Sequence, residues 1–392
     1  MNTLERLDAC LSLPEEERML LASVQTLART QIAPRAEHHD RAGTFPWDNV
    51  TAINALGLNA MFIPEAYGGA PMSYSAYLAC VREISKACAA TGIIWATSFH
   101  GIKPVITYGS EEQKRRLLPR VAAGGLVSLV ITEASAGSDA TGMKTRFEAQ
   151  GDDIVVNGSK TFITNGDVAD LLLVFGKWSG IADAKGAISA LIVEKGTPGL
   201  SVLRTEDKLG VRASSTAALS FDGCRVPRAN LLGAPGDGLK ILLASLNKSR
   251  PSVAAHALGI ARAAFEDAVG YINERRQSGR RIIEFQGIQF MLADLASELA
   301  LCERWLWHVG ALVDAGEEDM GIEASMLKLR ASDLAMRMAT EAVQLYGGYG
   351  YCKDYRVERL MRDAKITQIW EGTNQVHRQL IGRSFMQKDN TK

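Results

Sequence analysis

The period of the apolar positions changes twice along the chain. Leu20, Val24, Leu27 and Ile32 follow one another at three to five residues, the spacing of one helix face. Pro14 before them suits the first helical position, and Glu15 to Glu17 suit the positive end of a helix. Between about 124 and 235 the helical period gives way to short, often β-branched apolar runs. Of these, Leu171–Phe175, Ala190–Glu194 and Thr216–Phe221 read as strands. Residues 124–238 hold 17 of the 36 glycines, and Asn157-Gly158, Asn165-Gly166, Thr197-Pro198-Gly199 and Val226-Pro227 read as turns. Further on, Ile288, Met291, Leu295, Leu299, Cys302, Leu306, Val309 and Val313 recur at threes and fours for many turns. A helix this long belongs in a bundle, and its stripe serves an internal core or a contact with another subunit equally well. The pattern predicts an α+β chain in three parts: helical over 1–123, β over 124–235 and helical again over 236–392.

Charge and cysteine content narrow the partners. The 392 residues hold 44 basic and 44 acidic side chains, so no overall positive field exists to hold nucleic acid or an anionic membrane surface. The six cysteines form no C-x-x-C pair and are too few for a disulfide scaffold, which points to a reducing compartment. No signal or transit pattern opens the sequence and no apolar run approaches the roughly 20 residues of a membrane span, so a cytoplasmic location is expected. His38-His39-Asp40 has no companion ligand cluster and reads as a solvated polar stretch rather than a metal site.

The common dinucleotide, P-loop, zinc-protease and serine-hydrolase motifs are missing. Two segments carry particular chemistry instead. Ile131-Thr132-Glu133-Ala134-Ser135-Ala136-Gly137-Ser138-Asp139 crowds hydroxyls and small residues that let backbone N–H groups approach oxygen ligands, and Asn157 to Gly166 follows about twenty residues later. Near the C-terminus come Gln344-Leu345-Tyr346-Gly347-Gly348-Tyr349-Gly350-Tyr351, Arg362-Asp363-Ala364-Lys365 and Trp370-Glu371-Gly372-Thr373-Asn374-Gln375. Desolvation beside Trp370 would make Glu371 a stronger base, and Gly372 leaves room for a substrate. Locally, a surface glutamate at a helix start explains Glu371 as well as a base does.

Taken together, these segments resemble the acyl-CoA dehydrogenase family over essentially the whole chain. Leu209-Gly210-Val211-Arg212, Cys224-Arg225-Val226-Pro227, Arg275-Arg276-Gln277-Ser278-Gly279 and Phe285-Gln286 stand between the two segments in the family's order. The resemblance implies an N-terminal helical domain, a central β-barrel domain and a C-terminal four-helix bundle, assembled as a homotetramer. It implies FAD as cofactor, with Thr132, Ser138, Phe162 and Thr164 at the flavin; Phe162 would cover the ring and Thr164 would bond near its N5. Arg275 and Gln286 would reach the diphosphate and adenine from a neighbouring subunit, joined by Gln344, Gly347 and Gly348, with Thr373 and Gln375 completing the site. Ser138, Asn247, Arg250 and Gly372 would contact the thioester. Glu371 matches the catalytic base, which removes the α-proton while the β-hydrogen leaves as hydride, giving the trans-2-enoyl-CoA. Some members place the base on the helix bearing Asn247-Lys248-Ser249-Arg250, but no carboxylate stands there in this sequence. Electrons would pass to an electron-transfer flavoprotein.

The chain departs from the family pattern at Val130, Ala134, Phe162, Asn247 and Ser278. Cys88 to Phe99, matching the helix beside the acyl pocket, has no Lys or Arg, which favours an uncharged acyl chain. Trp95 and Phe99 there either limit chain length or simply pack. An acyl-CoA oxidase, a carrier-protein thioester desaturase and a non-catalytic assembly or binding protein on the same fold are the competing readings.

Overall fold

The computed structural model describes Arg6 and residues 11–386. The first helical run goes from α1 (Glu15–Leu27) through a π-helical turn (Ala28–Ile32) into α2 (Ala33–Ala42), with Pro14 one residue ahead of it as N-cap. His39 and Asp40 lie buried in α2, not in a solvated loop. His39 Nε2 meets Asp48 Oδ1 at 2.9 Å, and Asp40 accepts both terminal nitrogens of Arg362. Ion pairing supplies what solvent was expected to supply, and no group of potential metal ligands occurs among the described residues. Helices α3 (Trp47–Ala55), α4 (Tyr74–Ala87), α5 (Ala89–Tyr108) and α6 (Glu111–Ala122) complete this part.

Eight strands follow: β1 (Val127–Val130), β2 (Arg146–Gln150), β3 (Asp153–Thr164), β4 (Leu171–Trp178), β5 (Ile188–Glu194), β6 (Leu200–Thr205), β7 (Thr216–Pro227) and β8 (Leu231–Leu232). They form one sheet in the order β6-β7-β3-β2-β4-β5-β8, with β1 pairing β4 in parallel. Alternation in β4 explains how the sheet is used. Leu172 and Val174 point into a core made only of the sheet's own side chains, with Phe147, Ile154, Leu191 and Leu219. Leu171, Leu173 and Phe175 face the other way, onto Ile102, Leu117 and Leu118 of α5 and α6. Asn157-Gly158, expected as a turn, lies inside β3 at a bulge. A Cβ on Gly158 would stand 2.7 Å from the Thr145 Cα, so close strand approach, not chain reversal, requires the glycine. Val226-Pro227 likewise ends β7 rather than turning the chain.

The last part holds α7 (Gly238–Glu274), a small hairpin of β9 (Arg276–Gln277) and β10 (Arg280–Arg281), α8 (Gln286–Asp314), α9 (Gly321–Tyr346), α10 (Val357–Thr367) and α11 (Asn374–Ser384). From Ser249 to Phe265, α7 is buried on every face, and this stretch is rich in Ala, Ser and Gly. It is therefore the central rod of the bundle. A Cβ on Gly259 would come within 2.4 Å of the Arg82 carbonyl, so small residues let α4 lie directly on α7. One apolar core consequently joins the N-terminal and C-terminal helices, and Leu295, Leu299 and Leu306 of α8 enter it as the stripe predicts. No described helix is long and apolar enough to cross a membrane.

Candidate active site

After α10 the chain turns sharply through Glu371 and Gly372, both with positive φ (52° and 95°). The left-handed region disfavours a side chain such as glutamate, so this backbone is held by its surroundings. Beneath it, Gly372 leaves space that a Cβ would fill to within 3.1 Å of Nε2 of the buried His377. The Lys328 Nζ of α9 donates to the Gly372 carbonyl at 2.7 Å and to Asn374 Oδ1 at 3.0 Å. Asn374 in turn donates to Ser332 and Asp333, and Thr373 caps α11 by accepting from the Val376 N–H. Thr373, expected at the cofactor, thus starts a helix, while Gln375 beside it is exposed.

The Glu371 carboxylate points at α7, where Ser249 Oγ donates to its Oε2 at 2.6 Å. The Ser249 carbonyl accepts from Ser252, whose hydroxyl is bonded to His100 Nε2 of α5 at 2.5 Å. Burial lowers the His100 pKa, as it does that of Arg250, with Glu371 opposing both shifts. Arg250 is buried next to Ser249; its Nη1 reaches Ser325 Oγ, while its Nε has no partner among the described residues. Tyr74 and Tyr77 of α4, Trp95 and Phe99 of α5, and Phe62 from the short helical turn before α4 form an aromatic cluster, with Tyr77 and Phe99 ring centres 4.4 Å apart. The Tyr77 pKa is raised by burial and, to a smaller degree, by Glu371. Asn247 is half-buried one turn before Arg250. The structure thus gathers Glu371, Gly372, Ser249 and Arg250 where α5, α7 and α9 meet.

A second group sits on the sheet. Phe162 has φ 57° and is 64% exposed, an unusual combination of backbone strain and open apolar surface for one residue. Thr132 is close by, since its carbonyl accepts the Thr161 N–H. A buried pair locks this corner: Lys160 Nζ donates to Glu133 Oε1 at 2.9 Å and to the Ile131 carbonyl. Burial pulls Lys160 down to about 8, and Glu133, which also accepts from Lys144 N and Thr145, holds it up. The Thr164 carbonyl accepts from Ser128 Oγ. Ser138 is exposed at the tip of the loop, next to Asp139, whose carboxylate caps Thr141.

A third group lines a cleft of about 540 Å³ between α7, α8 and the end of α9. Arg275, Gln344, Gly347 and Gly348 face it together with Tyr346 and Tyr349, and the Arg275 guanidinium lies 5.6 Å from the Tyr349 ring centre. Neither Gly347 nor Gly348 would meet another atom with a Cβ, so that side of the cleft is open. Gln286, the first residue of α8, is exposed and outside this lining. The three groups supply an anchored carboxylate, a flat apolar platform flanked by threonines, and a cation beside bare backbone.

Sequence reasoning missed Lys328, Asn374 and His377. A signal for Lys328 existed, because it interrupts the buried stripe Ala324, Leu327, Ala331, Leu334, Ala335 and Met338 of α9. A lysine on an apolar face needs a buried acceptor.

Family models described as the N-terminal, middle and C-terminal domains of acyl-CoA dehydrogenase match residues 14–125, 128–224 and 236–386. An acyl-CoA dehydrogenase of Bacillus subtilis is 44% identical over 95% of this chain and 98% of its own. The butyryl-CoA dehydrogenase structure from Megasphaera elsdenii superposes with a TM-score of 0.93 at 36% identity, covering 96% of this chain and 99% of that one. A glutaryl-CoA dehydrogenase from Mycobacterium smegmatis, solved in complex with FADH2, gives 0.90 at 29% identity over 100% and 98% of the two chains.

Proposed function

The chain belongs to the acyl-CoA dehydrogenase family, whose cofactor is FAD, and from that premise we propose that it oxidises a saturated acyl-CoA thioester to the trans-2-enoyl-CoA with Glu371 as base. The observation that carries this reading is the Glu371 carboxylate, held by a strained, clamped turn and bonded by Ser249 at the junction of three helices.

The residues present fit the cofactor. Phe162 exposes a flat ring on a strained backbone between Thr132 and Thr164, which suits an isoalloxazine face. The cleft with Arg275 and the unsubstituted Gly347-Gly348 backbone suits a diphosphate, and the family resemblance implies a homotetramer in which a neighbour supplies that half. FAD, when bound, supplies the hydride acceptor. The protein's share is to hold the thioester α-carbon against Glu371 and to receive the α-proton on the carboxylate. Ser249 keeps one carboxylate oxygen in place while the other is left for the proton. His100, with its pKa lowered by burial, remains neutral and does not compete as a cation for the carboxylate. Arg250 supplies charge for the thioester end.

The aromatic cluster beside the base and the absence of cations from Cys88 to Phe99 support an uncharged and short acyl chain. An electron-transfer flavoprotein is the proposed acceptor, in keeping with the family resemblance. Anaerobic titration of the holoenzyme with a panel of acyl-CoA thioesters tests this. Short saturated chains should bleach the oxidised flavin's visible band, and glutaryl-CoA should bleach it far more slowly. A panel in which no thioester bleaches the flavin contradicts the reading.

A further inference from the structure

Lys328 is fully buried on α9, on a helix face otherwise made of Ala, Leu, Ser and Met. Placing an ammonium there costs solvation, and burial accordingly pulls its pKa from 10.5 to about 7. Two acceptors meet the charge: the Gly372 carbonyl at 2.7 Å and Asn374 Oδ1 at 3.0 Å. Both belong to the turn that carries Glu371. Charged groups around Lys328 stand on its own helix, on the Glu371 turn and on α7. Glu371 and Asp333 favour the ammonium, whereas Arg250 of α7 opposes it. His377 of α11 is pushed down to about 3, first by burial and then by Lys328 and Arg250, and stays neutral. A methionine or leucine at 328 would serve the core without any loss of solvation, so packing does not account for a lysine.

We propose that Lys328 is a positioning residue for the reaction: by clamping the Gly372 carbonyl and the Asn374 side chain, it holds the left-handed Glu371 backbone and so aims the carboxylate. The clamp acts on the backbone one residue beyond the base, where a small rotation moves the carboxylate through a large arc. Asn374 passes the restraint on to Ser332 and Asp333, so the turn is tied to α9 at three successive points. Ser249 restrains the carboxylate from the other side. The inference rests on Glu371 being the base.

The test is Lys328→Met in the FAD-loaded enzyme, comparing the Kd of a bleaching acyl-CoA, the bleaching rate and the effect of α-deuteration on that rate. The expected result is wild-type flavin content and a Kd within about threefold of wild type, with bleaching slowed roughly 10²-fold, as for a base displaced by about an ångström. The α-deuterium effect should grow, because proton removal becomes slower while hydride transfer geometry is unchanged. A merely structural lysine would alter flavin content or Kd but not this isotope effect. If Lys328→Met does not fold, Asn374→Ala, which removes one of the two acceptors, takes its place, with roughly tenfold slower bleaching expected. Bleaching at the wild-type rate in the folded variant overturns the clamp while leaving the proposed reaction intact. A wild type inert to every thioester overturns the reaction, and the clamp with it.

Discussion

Glu371 is defined as much by its backbone as by its carboxylate. Trp370 before it and Gly372 after it set the turn, Lys328 holds the turn from below and Ser249 holds one oxygen. Removing that hydroxyl with Ser249→Ala should leave flavin content unchanged and slow bleaching roughly tenfold, the order expected for one lost hydrogen bond to a charged group. Stopped-flow measurement of the bleaching rate checks it, and an unaltered rate would remove Ser249 from the site. At this scale the sequence is informative about identity and less so about support. Glu371 stands out within Trp-Glu-Gly. Ser249 draws notice only for lacking a carboxylate, because its role depends on α7 passing within 2.6 Å of a turn more than a hundred residues away. Lys328 is signalled only by standing on the buried face of α9, and nothing in the sequence names its acceptors.

Between elements, close contacts fix the relation of the sheet to the bundle. The loop before β7 lies on α10: the Val211 N–H donates to the buried Asp363 carboxylate at 2.5 Å, and a Cβ on Gly210 would stand 2.3 Å from the Arg362 carbonyl. Burial raises Asp363 to about 6, against the Val211 N–H and the nearby arginines, which lower it. Between the ordinary carboxyl pKa and about 6, the folded state keeps a proton that the unfolded chain has lost. Stability therefore falls as pH rises through that window and is level above it. Asp363→Asn keeps an acceptor for Val211 and removes the titration. Its stability relative to wild type should rise between about pH 4 and pH 7 by up to about 3 kcal/mol, since each pH unit separating the folded and unfolded pKa values is worth about 1.4 kcal/mol. Denaturant unfolding at the two pH values measures this, and a difference that does not change with pH would contradict it. Strands and helices are readable because β4 and β5 carry unbroken apolar runs of strand length and α8 keeps one helical period throughout. Gly158 misleads because a glycine needed for strand approach and one needed for a turn look alike in sequence, and His39-Asp40 misleads because the partners, Asp48 and Arg362, lie on other elements.

Within the subunit, Phe162 lies on the sheet, Glu371 at the helix junction and Arg275 in the cleft between α7, α8 and the end of α9. Phe290, Leu301 and Trp305 lie along one face of α8 and are exposed. The proposed homotetramer would cover them and give the long helix a second role. Light scattering should give a mass four times that of the 42.4 kDa chain. Leu301→Glu should lower that mass, and a variant retaining the wild-type mass would exclude this face as the interface. The 44 basic and 44 acidic side chains leave no net charge, and the proposed base is a single local carboxylate.

The assignment of the base is tested most directly by Glu371→Gln. Gln keeps the size of the side chain and can accept from Ser249, so the variant should hold FAD and bind the acyl-CoA that bleaches the wild type. Its anaerobic bleaching should be at least roughly 10³-fold slower, in the range expected for loss of a general base. Bleaching of the Gln variant at the wild-type rate would contradict the account.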